Sequence, residues 1–166
     1  WSQVGDGLYQ NARYEDLRPV SRDYIHNCHL RVNRHIAPTG DFLLDAGSGR
    51  LDYSCAGHPY PLLRRAEGEV VELGSGALPL GLRPAAAPAK GSEFVQPGDL
   101  LLMYSDGVPE TLDREGNAYG FDALRIEAAA GGDARVVHDR ITSSLERFSE
   151  GAALVDDRSL VVITRT

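Results

Sequence analysis

The run Asp99-Leu100-Leu101-Leu102-Met103-Tyr104-Ser105 constrains this chain more than any other stretch. A Pro97-Gly98 turn launches it and Asp106-Gly107 stops it, and the apolar residues between leave no polar face. A strand of that kind is buried on both sides, so it belongs inside a sheet with a packed layer on each face. The stretch Ser159-Leu160-Val161-Val162-Ile163-Thr164 reads as another buried strand. With 166 residues, 42% of them apolar and 25% charged, the chain is sized for one such core as a single domain, residues 1–166.

Between these strands the periodicity changes. Leu51-Asp52-Tyr53-Ser54-Cys55 alternates as a strand does, after a Gly47-Ser48-Gly49 turn and the short apolar run Phe42-Leu43-Leu44. Tyr60-Pro61-Leu62-Leu63-Arg64 and Val70-Val71-Glu72-Leu73 form a hairpin pattern turned by Ala66-Glu67-Gly68. Residues 83–91, rich in Ala and Pro, read as a loose loop. Two helices follow the strongest strand, one over 121–130, the other capped by Asp133 with Val137, Ile141, Leu145 and Phe148 on one stripe. Nearer the start, Ser21 caps a helix whose apolar positions are Tyr24, Ile25, Cys28, Val32 and Ile36. The pattern is that of a mixed α+β domain with a mostly antiparallel sheet.

Charge and composition narrow the partners. Lys+Arg 17 against Asp+Glu 24 gives −7, which argues against nucleic acid or an anionic membrane. No apolar run reaches the ~18–20 residues of a membrane helix. No charged-then-apolar leader marks secretion. Cys28 and Cys55 are too few for a disulfide framework and fit a reducing interior. Lys90 is the one lysine, a bias that reads first as codon usage in a GC-rich genome. The expectation is a cytoplasmic, bacterial protein.

Carboxylates at strand ends carry the chemistry. Asp106 closes one apolar strand, and Asp156 and Asp157 open another. If those strands are antiparallel neighbours, the three acids converge at one sheet edge, where repulsion is relieved by a hard cation such as Mg²⁺ or Mn²⁺. The plain alternative is Ser-Asp-Gly turn chemistry beside a solvated acidic loop.

At the same residues the chain resembles a known family. Ala56-Gly57-His58-Pro59, Pro79-Leu80-Gly81-Leu82, Pro97-Gly98-Asp99 through Asp106-Gly107-Val108, then Gly116, Tyr119-Gly120 and Asp156-Asp157-Arg158-Ser159 occur in that order. This series is similar to the stage II sporulation protein E branch of the metal-dependent, type 2C-like (PPM) serine/threonine phosphatases, over 41–166. The resemblance implies two antiparallel sheets in a central sandwich flanked by helices, a four-layer αββα arrangement. It also implies a binuclear Mn²⁺ or Mg²⁺ site and hydrolysis of phosphoserine or phosphothreonine by metal-activated water.

By resemblance, Asp106 matches the metal-binding Asp of the family's Asp-Gly motif and Asp156 its C-terminal ligand. Asp157 sits where relatives carry Asn or Asp. Val4-Gly5-Asp6-Gly7 stands for an N-terminal motif, with the Asp6 carboxylate and a Gly7 carbonyl facing metal. The chain departs from the family by lacking one of two N-terminal acidic motifs and most of a strand between Gly40 and Asp45, so residues 1–40 read as atypical or truncated. A catalytically impaired phosphatase-fold binding module is therefore the second reading. The implied partner is a phosphorylated protein such as an anti-sigma-factor antagonist, with room for a sensory domain upstream.

No nucleophile is expected. Cys55 lacks the Arg six residues on that a tyrosine-phosphatase loop needs, and Ser48 lacks a strand–elbow–helix context. His26, Cys28, His29 and His35 cluster, either as polar helix-face residues or as a zinc site of non-standard spacing. His58 serves the Ala-Gly-His-Pro turn or the substrate. Arg64, with Arg65, either holds a substrate phosphate or is a solvated strand end.

Overall fold

The computed structural model describes residues 2–4, 8–10, 28–30, 40–74, 89–153 and 156–166. Strands β1 (Ser2–Val4) and β2 (Leu8–Gln10) pair antiparallel as a two-stranded sheet. Strands β3 (Cys28–Leu30), β4 (Gly40–Leu44), β5 (Arg50–Cys55) and β8 (Ala89–Phe94) form an antiparallel sheet in the order β3-β4-β5-β8. A second antiparallel sheet has the order β10-β9-β6-β7, from β6 (Leu62–Arg64), β7 (Val70–Glu72), β9 (Leu100–Tyr104) and β10 (Leu160–Thr164). Helices α1 (Gly120–Ala129) and α2 (Ala134–Ser149) lie between β9 and β10 in sequence.

Strand β9 is buried along its whole length, as its composition requires. Leu100, Leu102 and Tyr104 pack toward Leu124, Ala128, Val137, Ile141 and Leu145 of the helices. Leu101 and Met103 point the other way, into a core with Phe42, Leu51 and Cys55 of the first sheet and Val95 just past the end of β8. The period-2 alternation thus joins helices, sheet and sheet into three stacked layers. Each fully buried Leu or Met there contributes about 1.5–3 kcal/mol. Helix α2 begins where Asp133 accepts the Val136 N–H at 2.9 Å, and it stops at Glu150 in the left-handed region (φ 40°).

The sandwich and the helix pair agree with the expected α+β architecture. The described helices pack on one face; the segment expected to supply a first helix lies largely outside the described residues. Its one described part corrects the reading: Cys28–Leu30 is a strand, with Cys28 opposite Leu44 and Leu30 opposite Phe42. Helical spacing of apolar residues lost there to a sheet edge that supplied backbone partners. Strand β4 has full register with β5, so the strand before the Gly47-Ser48-Gly49 turn is present. The loose loop ends earlier than expected, because residues 89–91 pair with β5, where the Tyr53 ring takes the space a side chain at Gly91 would fill. Strand β10 is an edge strand and only half-buried.

Candidate functional site

The register of β9 and β10 decides what meets at their common end. Tyr104 is opposite Leu160 and Leu100 opposite Thr164, so the exit of β9 adjoins the entry of β10. Ser105 extends the pairing past the strand: its N–H donates to Ser159 O at 3.0 Å, its Oγ–H to Asp157 O at 3.0 Å, and its Oγ accepts from Ser159 N–H at 2.9 Å. Asp106-Gly107 therefore lies against Asp156-Asp157. Gly107 is required by that approach, since a Cβ would run into the Asp157 carbonyl and the Asp156 backbone.

The three carboxylates at this edge are exposed. Among the described residues Asp106 Oδ1 accepts only the N–H of Gly107 at 3.1 Å, and Asp156 Oδ1 only that of Asp157 at 2.7 Å. No basic side chain pairs with Asp106, Asp156 or Asp157 among the described residues. Beyond Asp106 the chain folds into tight turns: Val108 N–H donates to Ser105 O, Glu110 N–H to Asp106 O, and Thr111 Oγ1–H to Gly107 O at 2.9 Å. These bonds fix the direction in which the carboxylate leaves the strand.

A third segment reaches the same end. Strand β6 runs antiparallel to β9 with Leu62 opposite Leu102 and Arg64 opposite Leu100, so the loop entering β6 lies beside the exit of β9. That loop carries His58, buried at 7% exposure, whose Nδ1–H donates to Pro59 O at 2.7 Å. With Nδ1 donating, Nε2 bears the lone pair, and it is buried with no hydrogen-bond partner among the described residues. The expected backbone bond of the turn is there, and an acceptor is left over.

Arg64 lies elsewhere. It sits at the far end of β6, about 13 Å of strand from the Tyr104 level. Its guanidinium donates to Ala129 O, Arg65 O and Ala66 O, so it closes the C-terminus of α1 and is not at the acidic edge. Arg65 pairs with Asp99 at 2.9 Å and Glu93 at 3.0 Å. Asp6 and Gly7 lie outside the described residues, as do His26 and His35. Cys55 is buried, and burial pushes its thiol up to about 11, which keeps it protonated. The Tyr104 phenol is pushed up to about 12, chiefly by burial. Ser48 is spent in its turn, donating to Asp45 Oδ1 at 2.7 Å.

Sequence reasoning missed Ser105, Gly107 in its close-packing role, and Arg158. Beside the acidic edge is a cleft lined by Gly107, Glu110, Thr111, Ser149, Asp156 and Arg158 among others. The only sequence signal for it was that Arg158 follows the Asp pair directly.

The family model of stage II sporulation protein E (SpoIIE) matches residues 27–166. The chain belongs to the SpoIIE family. It is 26% identical over 124 residues to Protein IcfG of Synechocystis, which covers 74% of this chain and 20% of IcfG. Among solved structures it is similar to the RsbU and RsbW domains of Rv1364c from Mycobacterium tuberculosis, at TM-score 0.55 and 29% identity, covering 76% of this chain and 35% of that one. The PP2C phosphatase domain with a regulatory fragment of SpoIIE from Bacillus subtilis gives TM-score 0.62 at 20% identity, over 81% and 40%. The SiaA PP2C domain of Pseudomonas aeruginosa gives 0.61 at 17%, over 75% and 50%. The fold of this SpoIIE-family chain is thus that of the PP2C-type serine/threonine phosphatases, and the chain spans half or less of each of these relatives. No helix among the described residues is long and apolar enough to cross a membrane.

Proposed function

We propose that this chain is a phosphatase that hydrolyses phosphoserine or phosphothreonine on a regulatory protein, using two Mn²⁺ or Mg²⁺ ions. The observation that carries the reading is the acidic edge: Asp106 and the Asp156-Asp157 pair meet there exposed, hard in donor character, and without basic partners among the described residues. Carboxylate oxygens are the donor type that a hard divalent cation prefers. Among the described residues no group of three or more His, Cys, Asp or Glu side chains is placed to hold a metal ion, Asp106, Asp156 and Asp157 included, so the reading needs Asp6 and the Gly7 carbonyl as further ligands. Asp106, Asp156, Asp6 and Gly7 would hold the ions, with Asp157 beside them.

When bound, such ions lower the pKa of water and neutralise phosphoryl oxygens. The chain's own residues do the rest. The Ser105 and Thr111 bonds fix the backbone that carries Asp106, so the backbone needs little reorganisation when a ligand arrives. His58 Nε2, left as an acceptor by the Nδ1 bond and enclosed in the protein, would take its hydrogen bond from an ordered water. No side chain has to form a covalent bond to phosphorus.

The family resemblance supports a small anti-sigma-factor antagonist as the phosphoprotein, a cytoplasmic location and a bacterial source. We read residues 1–166 as one domain, to which longer relatives add sensory or regulatory parts. The test is turnover of a phosphoserine protein and of p-nitrophenyl phosphate by the full chain with Mn²⁺. Metal-dependent turnover supports the reading; absence of turnover with intact folding leaves a phosphatase-fold binding module instead.

A further inference from the structure

We propose that Arg158 is the arm that orients the phosphoryl group, its guanidinium taking phosphoryl oxygens in the cleft beside the acidic edge. This rests on the phosphatase reading above and adds a specificity residue to it. Asp156 and Arg158 line the same cleft, so both face one volume. A phosphoryl group held at the Asp156 carboxylate through a cation would lie at the mouth of that cleft, and a guanidinium matches its oxygens in a two-bond fork.

Among the described residues Arg158 is the one cationic side chain lining the cleft, and the other polar groups there are committed or of the wrong sign. Thr111 Oγ1–H donates to Gly107 O and Ser149 Oγ–H to Glu146 O, while Glu110 and Asp156 are anionic. Three other arginines on this side of the sheet are engaged, Arg114 with Glu150 O, Arg125 with Glu72 and Arg140 with Glu127, while Arg147 of α2 has no hydrogen bond or ion pair among the described residues but does not line the cleft. Arg158 forms no hydrogen bond or ion pair with another described residue. Its base is nonetheless fixed, because the N–H and C=O of Ser159 are both tied to Ser105. A half-buried, unpaired guanidinium on an anchored backbone is preorganised for an anion.

The test is steady-state kinetics of the full chain with Mn²⁺ on p-nitrophenyl phosphate and on a phosphoserine peptide. Wild type is compared with Arg158→Ala, Arg158→Gln and Arg158→Lys, with melting temperatures confirming folding and the milder variants serving if Ala does not fold. Expected are a KM raised about tenfold for both substrates, equal weakening of inhibition by inorganic phosphate, partial rescue by Lys, and Mn²⁺ affinity by calorimetry within about twofold of wild type. Unchanged KM and phosphate inhibition in active variants would overturn the role of Arg158 alone. A rise confined to the peptide would overturn phosphoryl contact in favour of contact with flanking residues. A folded wild type without Mn²⁺ binding or turnover would overturn the phosphatase reading and this role with it.

Discussion

Strand β9 is flanked by two aspartates that the fold treats in opposite ways. Asp99, before its first residue, is 1% exposed and accepts from Gln96 N–H, Ala66 N–H and the Arg65 guanidinium, each at 2.9 Å. Asp106, past its last, is exposed and accepts a single bond from its own neighbour. The first carboxylate is saturated by protein donors and holds the Pro97-Gly98 turn against the β6–β7 hairpin. The second is left with most of its lone pairs unpartnered among the described residues. Same residue type, same strand and opposite surroundings separate an acid committed to the fold from one that the described residues leave open.

Breaking the structural acid should cost the most stability. Asp99→Asn removes the charge facing a mostly buried Arg65, and the expected loss is about 3 kcal/mol in denaturant unfolding. The same carboxyl sets an acid limb. Burial pushes it up, but the Gln96, Arg65 and Ala66 bonds outweigh burial and leave it below the ordinary 3.8. Its stabilisation is therefore complete above about pH 4 and is lost as pH falls through the lower folded value. A stability-versus-pH curve for Asp99→Asn should be flatter than wild type in that window.

Gly107→Ala comes next. It should cost about 2 kcal/mol, because a Cβ presses on the Asp157 carbonyl, and should also spread the acidic edge and lower metal-dependent turnover. Asp133→Ala, which removes the α2 cap far from the edge, should cost about 1 kcal/mol while leaving KM unchanged. Asp106→Asn should be the mildest in metal-free stability, within about 0.5 kcal/mol, yet abolish Mn²⁺-dependent turnover. A loss at Asp106 as large as that at Asp99 would erase the contrast and make both structural.

How much of this was readable beforehand follows the same physics. Strand β9, helix α2 with its Asp133 cap, and the meeting of Asp106 with Asp156 were legible because composition, period and end chemistry all agreed there. The strand at Cys28–Leu30 was not, because its local spacing favoured a helix and only pairing with β4 decides otherwise. Residues 89–91 were hidden by Ala and Pro in the preceding run, although β5 recruits them as a ladder. Arg64 and Arg65 looked alike in sequence, but one closes the end of α1 and the other neutralises Asp99, partners 65 and 34 residues away. Arg158 carried no signal beyond its place after the Asp pair, since its meaning comes from the cleft that α2 and residues 107–112 build around it.

The most direct test of the central claim is calorimetric titration of Mn²⁺ into the metal-free full chain, wild type beside Asp106→Asn. The account predicts two ions bound by the wild type and loss of at least one of them in the variant, with both proteins folded. Equal binding by the two proteins, or no binding by a folded wild type, would contradict it.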